Sequence, residues 1–209
     1  MTSGIDRRTD WERVFEGRGP AGVSWYEESP RMSLEMIDLA GVGPHEAVLD
    51  VGGGSSPLAG ALLARGFADV TVLDLAEAAL RAARGRLGPE GATVEWIHGD
   101  VLDWAPERSY ELWHDRATFH FLVEETARKR YLATARSALR PGGHAVIGTF
   151  ARDGPTACSG LPVARYDTQA LGDAFGPEFS VVASRQDEHR TPAGATQAFT
   201  WVALRRRGP

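Results

Sequence analysis

Apolar and polar positions along this chain fall into blocks that alternate between two periods. Short apolar runs at Val48–Asp50, Val70–Leu73, Val94–Ile97, Tyr110–Trp113 and His144–Phe150 are bounded by Gly, Pro or Asp. Runs of this kind predict buried strands. Between them lie segments rich in Leu and Ala with clear stops. One ends at Arg65 before Gly66, Ala76–Leu87 ends before Gly88-Pro89, and a third runs from about Glu124 to Leu139 before Arg140-Pro141-Gly142-Gly143. These read as helices, since Gly just past the last turn and Pro soon after it terminate a helix. Another helix, Ser33–Ala40, precedes the first strand, with Leu34, Met36 and Ile37 facing inward. Beyond residue 150, a helix at Asp167–Phe175 and strands at Phe179–Ser184 and Ala198–Arg205 follow, the two strands suited to antiparallel pairing.

The most informative stretch is Val48–Asp74, VLDVGGGSSPLAGALLARGFADVTVLD. It reads as strand, Gly-rich turn, helix, strand and acid. Gly52, Gly53 and Gly54 let the backbone take positive φ and let a ligand approach the main chain. Ser55 or Ser56 can cap the following helix, with Pro57 at its first position. This is a nucleoside-binding βαβ unit. It departs from the dinucleotide fingerprint, because Pro57 stands where the third Gly belongs. No Lys follows the glycines, so it is not a triphosphate loop either. A ligand with an adenosine and no phosphate fits better.

The D-x-G-x-G opening at Asp50, Gly52 and Gly54 resembles motif I of the class I S-adenosylmethionine (SAM)-dependent methyltransferases, although Ser56 replaces a further glycine usual there. The turn Leu139-Arg140-Pro141-Gly142-Gly143 before the fifth strand resembles that family's as well, so the resemblance covers roughly residues 46–150. It implies a Rossmann-like, doubly wound α/β fold with a mostly parallel seven-stranded sheet and one antiparallel edge strand. It also implies SAM as cofactor, with S-adenosylhomocysteine as its product. Asp74, followed by Leu75, would hold the ribose hydroxyls, and Asp100, followed by Val101, would lie near the adenine amino group. Gly52, Gly53, Gly54, Asp50 and Asp115 complete the expected cofactor set. The chain is expected to form one domain over 1–209: a helical cap at 1–45, the cofactor core at 46–150, and a substrate loop with a C-terminal hairpin at 151–209.

Composition narrows the partners. A net charge of −5 and a pI near 5.7 argue against gripping nucleic acid through the overall field. One cysteine, Cys158, rules out an intrachain disulfide, and no spacing suggests a metal site. With no apolar signal core and no run of about 20 apolar residues, a cytoplasmic protein without membrane spans is expected.

Methyl transfer from a sulfonium needs an aligned nucleophile, and His is the usual base when a proton must leave. His120 and Asp115 are the catalytic candidates. Trp25, Tyr26, Arg116, His120, Cys158, Arg165 and His189 are the substrate candidates, the arginines suiting an anionic acceptor. Each also has a plainer reading: Asp115 paired with Arg116, His120 packed between Phe119 and Phe121, Cys158 buried as a small apolar group, and His189 on a hairpin turn. Trp11, Val14, Phe15, Trp25 and Tyr26, around a break at Gly17–Gly22, form either a lid or a docked segment. A small-molecule acceptor is expected. The alternatives are a protein lysine methyltransferase, to which Glu27 and Glu28 would lend acidity, and a non-catalytic SAM-binding regulator.

Overall fold

A computed structural model describes residues 11–12 and 23–208. Of the expected cap over 1–45, Val14, Phe15 and the Gly17–Gly22 break lie outside the described residues. In chain order the elements are α1 (Arg31–Ala40), β1 (Val48–Val51), α2 (Leu58–Ala64), β2 (Val70–Asp74) and α3 (Glu77–Leu87). Next come β3 (Glu95–His98), β4 (Tyr110–Arg116), α4 (Glu125–Ala138), β5 (Leu139–Phe150) and a small hairpin, β6 (Ala157–Cys158) and β7 (Leu161–Pro162). The chain closes with α5 (Thr168–Phe175), β8 (Phe179–Arg190) and β9 (Thr196–Arg206).

Seven strands form one sheet in the order β3-β2-β1-β4-β5-β9-β8. The first five are parallel, and β9 runs antiparallel to both β5 and β8. The reversed strand is therefore β9, with β8 outside it at the edge. Strand order reverses between β1 and β4, and open α/β sheets bind ligands in the crevice at such a switch point.

Helices cover both faces because the strand side chains are apolar on both. Leu49, Val51, Trp113 and Ile147 pack on one face with Tyr131 of α4 and Phe175 of α5. Val48, Leu112, Val146 and Trp201 pack on the other with Ile37 of α1, Leu62 of α2 and Leu80 of α3. This division follows from the two-residue period of a strand. Local chemistry sets the helix ends. Ser56 Oγ accepts the Leu58 N–H at 3.1 Å, Asp167 accepts from Ala170 N at 2.7 Å, and α1 stops at Gly41 with φ of 75°.

Two boundaries differ from expectation in ways that matter. Strand β4 continues through His114, Asp115 and Arg116 instead of ending at Trp113, because β1 and β5 both offer backbone partners that far. Strand β8 extends to Arg190, placing His189 within the strand, and the turn follows at Thr191–Ala195.

Candidate active site

Two cavities open where the parallel strands end. The larger, about 860 Å³ and open to solvent, crosses the sheet from Gly99, Asp100 and Val101 after β3, past Asp74 and Leu75 at β2 and Gly52 at β1, to Arg116 and Thr118 at β4. Trp11, Trp25, Phe121 and Cys158 line it as well. The smaller, about 490 Å³, lies over the glycine turn and is lined by Asp50, Gly53, Gly54, Glu27 and His114 among others. Trp25, Gly52 and Arg116 wall both.

The glycine turn is shaped for close approach. Gly52 has φ of 66°, a region L side chains rarely adopt, and a Cβ there would stand 1.8 Å from Thr118 Oγ1. A Cβ on Gly53 would meet Asp50 Oδ2 at 2.4 Å and Val72 at 2.8 Å. Asp74 is buried with its Oδ1 accepting the Ala76 N–H at 2.7 Å. Burial pushes its pKa up to about 7, against the pull of that hydrogen bond, with the Asp50 charge adding to the rise. Glu12 accepts from Glu77 N at 2.6 Å and Ala78 N at 3.2 Å, capping α3 beside Asp74.

The smaller cavity holds a buried polar cluster. His114 Nδ1 lies 2.7 Å from Asp50 Oδ1, with both side chains almost fully enclosed. With Asp50 accepting from Nδ1, Nε2 of a neutral ring is an acceptor, and it has no hydrogen-bond partner among the described residues. Glu27 Oε1 is likewise buried without a partner. Arg116 donates to the Trp25 carbonyl at 2.9 Å and faces Glu27 at 3.6 Å. That gap is too long for a direct hydrogen bond, so burial outweighs the pairing on both sides: Glu27 is raised and Arg116 lowered. Two vacant acceptors beside an acid excess suit a ligand bearing N–H donors and positive charge.

Sequence reasoning brought Asp50, Gly52, Gly53, Gly54, Asp74, Leu75, Asp100 and Val101 to one connected site, and all eight line the two cavities. Trp25, Tyr26, Arg116 and Cys158 line them too. Four other candidates sit elsewhere. Asp115 points to the opposite face from Arg116, as neighbours on a strand must, so the two do not pair. Its carboxylate accepts from Thr118 N at 2.8 Å, Phe119 N at 3.0 Å and the Tyr131 hydroxyl at 2.5 Å, fixing the turn that carries Thr118. Burial holds its pKa near 6, with the Tyr131 hydrogen bond opposing. Asp115 is thus a scaffold beneath the site and not a wall of it.

His120 is fully buried, with its ring 4.5 Å from Phe121 and 4.6 Å from Phe150 and outside both cavities. Burial, helped by Arg116, lowers its pKa to about 3. It is neutral and shut away, so the packed reading replaces the catalytic one. Arg165 is bound to the carbonyls of Arg152 at 2.6 Å and Gly154 at 3.2 Å, away from either cavity. His189 is held by the Ser24 carbonyl at 2.8 Å, with its pKa lowered by burial. It braces the N-terminal segment.

Trp11, expected in a lid or a docked segment, lines the larger cleft; His114 and Thr118 were not expected as site residues, nor Glu27 as a wall of the smaller cavity. Nothing in the local pattern marked His114, which sits within an apolar strand and meets Asp50 only through the β1–β4 register. Removing the hydroxyl under Asp115 tests the scaffold. Tyr131→Phe also strips the acceptor from Trp113 Nε1, now 2.8 Å away. It is expected to cost about 2 kcal/mol of stability in denaturant unfolding, as buried partners left unpaired do.

Among the described residues, no group of three or more His, Cys, Asp or Glu side chains is placed to hold a metal. No helix among them is long and apolar enough to cross a membrane.

Comparisons with known proteins agree with this geometry. Residues 48–143 match a family described as a methyltransferase domain. The chain is 25% identical over 178 residues to EEF1A lysine methyltransferase 2 of Danio rerio, covering 81% of this chain and 70% of the relative. It is 34% identical over 119 residues to the ubiquinone/menaquinone biosynthesis C-methyltransferase UbiE of Acidiphilium cryptum. That match covers 56% of this chain but only about half, 47%, of the relative. The fold matches the crystal structure of Burkholderia thailandensis 1,6-didemethyltoxoflavin-N1-methyltransferase, with bound 1,6-didemethyltoxoflavin and S-adenosylhomocysteine. The TM-score is 0.71 at 20% identity, over 96% of this chain and 84% of that one.

Proposed function

The chain belongs to the class I SAM-dependent methyltransferases, whose cofactor is SAM, and from that premise we propose that its acceptor is a small molecule presenting an O, N or S nucleophile. The observation that carries this reading is the wall of three touching rings, Trp11, Trp25 and Phe121, in the larger cleft. A cleft lined by such a wall suits a compact acceptor better than a segment of folded protein.

The residues present fit the cofactor. Gly52 and Thr118 line the cleft in contact so close that only glycine fits there, and Glu27 Oε1 and His114 Nε2, without partners among the described residues, suit an ammonium. In this reading Asp74 holds the ribose hydroxyls, Asp100 and Val101 flank the adenine, and the smaller cavity takes the amino-acid end. When bound, SAM supplies a methyl group on a sulfonium, which leaves as a neutral thioether. The protein's part is to align an acceptor with that methyl and exclude water, and alignment can contribute about 7–11 kcal/mol in favourable systems. Residues 1–209 would act as one catalytic unit, with 151–209 supplying the acceptor side through Cys158.

The lysine methyltransferase reading draws on the names of four relatives. It needs an acidic approach channel, yet Glu27 lies in the smaller cavity beside Arg116, and Glu28 lines neither cavity. Calorimetry is expected to show binding of SAM and S-adenosylhomocysteine and none of NAD. Tighter NAD binding would sink the proposal. Labelled SAM offered with a small-molecule panel and with protein lysate then separates the two acceptor classes.

A further inference from the structure

We infer that the acceptor is an apolar aromatic molecule whose attacking atom already carries its free lone pair at neutral pH, an aromatic thiolate being the form the site fits best. This rests on the reading that the cleft holds SAM with its adenosine toward Asp74 and Asp100. The strand order then leaves the β4 and β6 side for the acceptor.

Three rings converge in the larger cleft, Phe121 following β4. Trp11 meets Trp25 at 5.6 Å and Phe121 at 5.1 Å between ring centroids, with planes at 75° and 76°. Edge-to-face clusters of this kind receive a further flat ring by stacking or edge contact, at little entropic cost because each ring is already held. The wall is therefore selective for a planar apolar acceptor over a flexible polar one.

Among the described residues, no base lines this cleft beside the rings. Among the described residues lining the cleft there is no His and no Glu, and its two carboxylates, Asp74 and Asp100, stand at the adenosine end. His120 is sealed behind Phe121 and Phe150. Cys158 is buried, and burial pushes its thiol up, so it is neither an anion nor a proton acceptor at neutral pH. The cation among the described lining residues is Arg116, which also donates to the Trp25 carbonyl and faces Glu27, and a guanidinium favours an anionic nucleophile over a cationic one. Among the described residues lining the larger cleft, an ordinary alcohol or a lysine ammonium meets no proton acceptor beside the rings. A thiolate has lost its proton to water before it enters. Its sulfur lone pair forms the new bond to the methyl carbon, the old methyl–sulfur bond breaks with its electron pair staying on the sulfonium sulfur, and no proton moves in the transfer.

The full-length chain with SAM should be offered thiophenol, 2-mercaptoethanol and a lysine-containing peptide. Thiophenol is expected to show a kcat/KM at least about tenfold above either of the others, the factor that one aromatic contact supplies. Across ring-substituted thiophenols, the acid limb of the rate profile is expected to move with each acceptor's own pKa. Trp11→Ala is expected to raise KM for thiophenol about tenfold, the loss of one such ring contact, and by a larger factor than it weakens SAM. Preference for the peptide or the aliphatic thiol overturns the inference, as does an acid limb fixed at one pH for all acceptors. So does failure of thiophenol to bind the S-adenosylhomocysteine-loaded chain in calorimetry. If SAM itself does not bind, the cofactor reading has failed instead, and the same titration shows which.

Discussion

Gly52→Val is expected to abolish SAM binding, with a loss of affinity exceeding roughly a thousandfold, because the change costs several kcal/mol through two separate effects. The first is local: φ at Gly52 is 66°, where a β-branched residue is a genuine outlier. The second is spatial. The new Cβ would stand 1.8 Å from Thr118 Oγ1 and 3.1 Å from Thr118 Cβ, so the β1 turn and the β4 turn must separate. Thr118 has little freedom to yield, since Asp115 holds its N–H and its hydroxyl donates to the Val51 carbonyl at 3.3 Å. Neighbouring Ala117 is itself at φ of 69°, so this turn already stores strain. Calorimetry with SAM, beside thermal unfolding to show that the fold survives, checks the result. Gly52→Ala combined with Thr118→Gly relieves the clash but not the backbone strain, and should recover part of the affinity. Unchanged SAM binding in Gly52→Val would place the cofactor elsewhere.

The second large effect concerns pH. In the empty protein Asp74 has a pKa near 7 against an ordinary 3.8, and the main cause is burial. The folded state therefore binds this proton more readily than the unfolded chain does. Below about pH 4 both states are protonated and Asp74 imposes no penalty. As pH rises from about 4 to 7 the unfolded chain ionises first, and folding stability falls by up to about 4 kcal/mol. Above pH 7 the penalty is constant. Asp74→Asn should accordingly raise the unfolding temperature of the ligand-free protein at pH 8 and leave it nearly unchanged at pH 4.

SAM binding carries the opposite sign. Ribose hydroxyls donate to a carboxylate and favour its ionised form, so affinity should rise between pH 5.5 and 8, with proton release seen as buffer-dependent heat. Asp74→Ala should weaken SAM roughly ten- to a thousandfold at pH 8, as charge-assisted hydrogen bonds worth about 1.5–3 kcal/mol each are lost. A pH-independent SAM affinity, or full affinity in the alanine variant, would remove Asp74 from the ribose.

The cofactor half of the candidate site was legible in the sequence because its parts are local. Asp50, Gly52, Gly54 and Asp74 belong to one strand–turn–helix–strand unit whose backbone conformation dictates residue type. Gly at positive φ and an acid at a strand end leave marks that no distant contact is needed to read. Element types and their order were legible for the same reason, since helix and strand periods are written within each segment.

The acceptor half was decided by tertiary structure. Asp115, Arg116 and His120 lie within six residues of one another, yet Arg116 alone reaches the cavities. The extension of β4 by three residues beyond Trp113 set their faces, and a strand sends each successive side chain to the opposite side. Partners β1 and β5 fixed that extension. The meeting of His114 with Asp50, 64 residues away, and of Arg116 with the Trp25 carbonyl, 91 residues away, depends on strand order and on where the N-terminal segment comes to rest. Periodicity shows that a residue will be buried. Which neighbours bury it, and so whether a histidine becomes a cavity wall like His114 or a sealed core residue like His120, is settled only when the sheet closes.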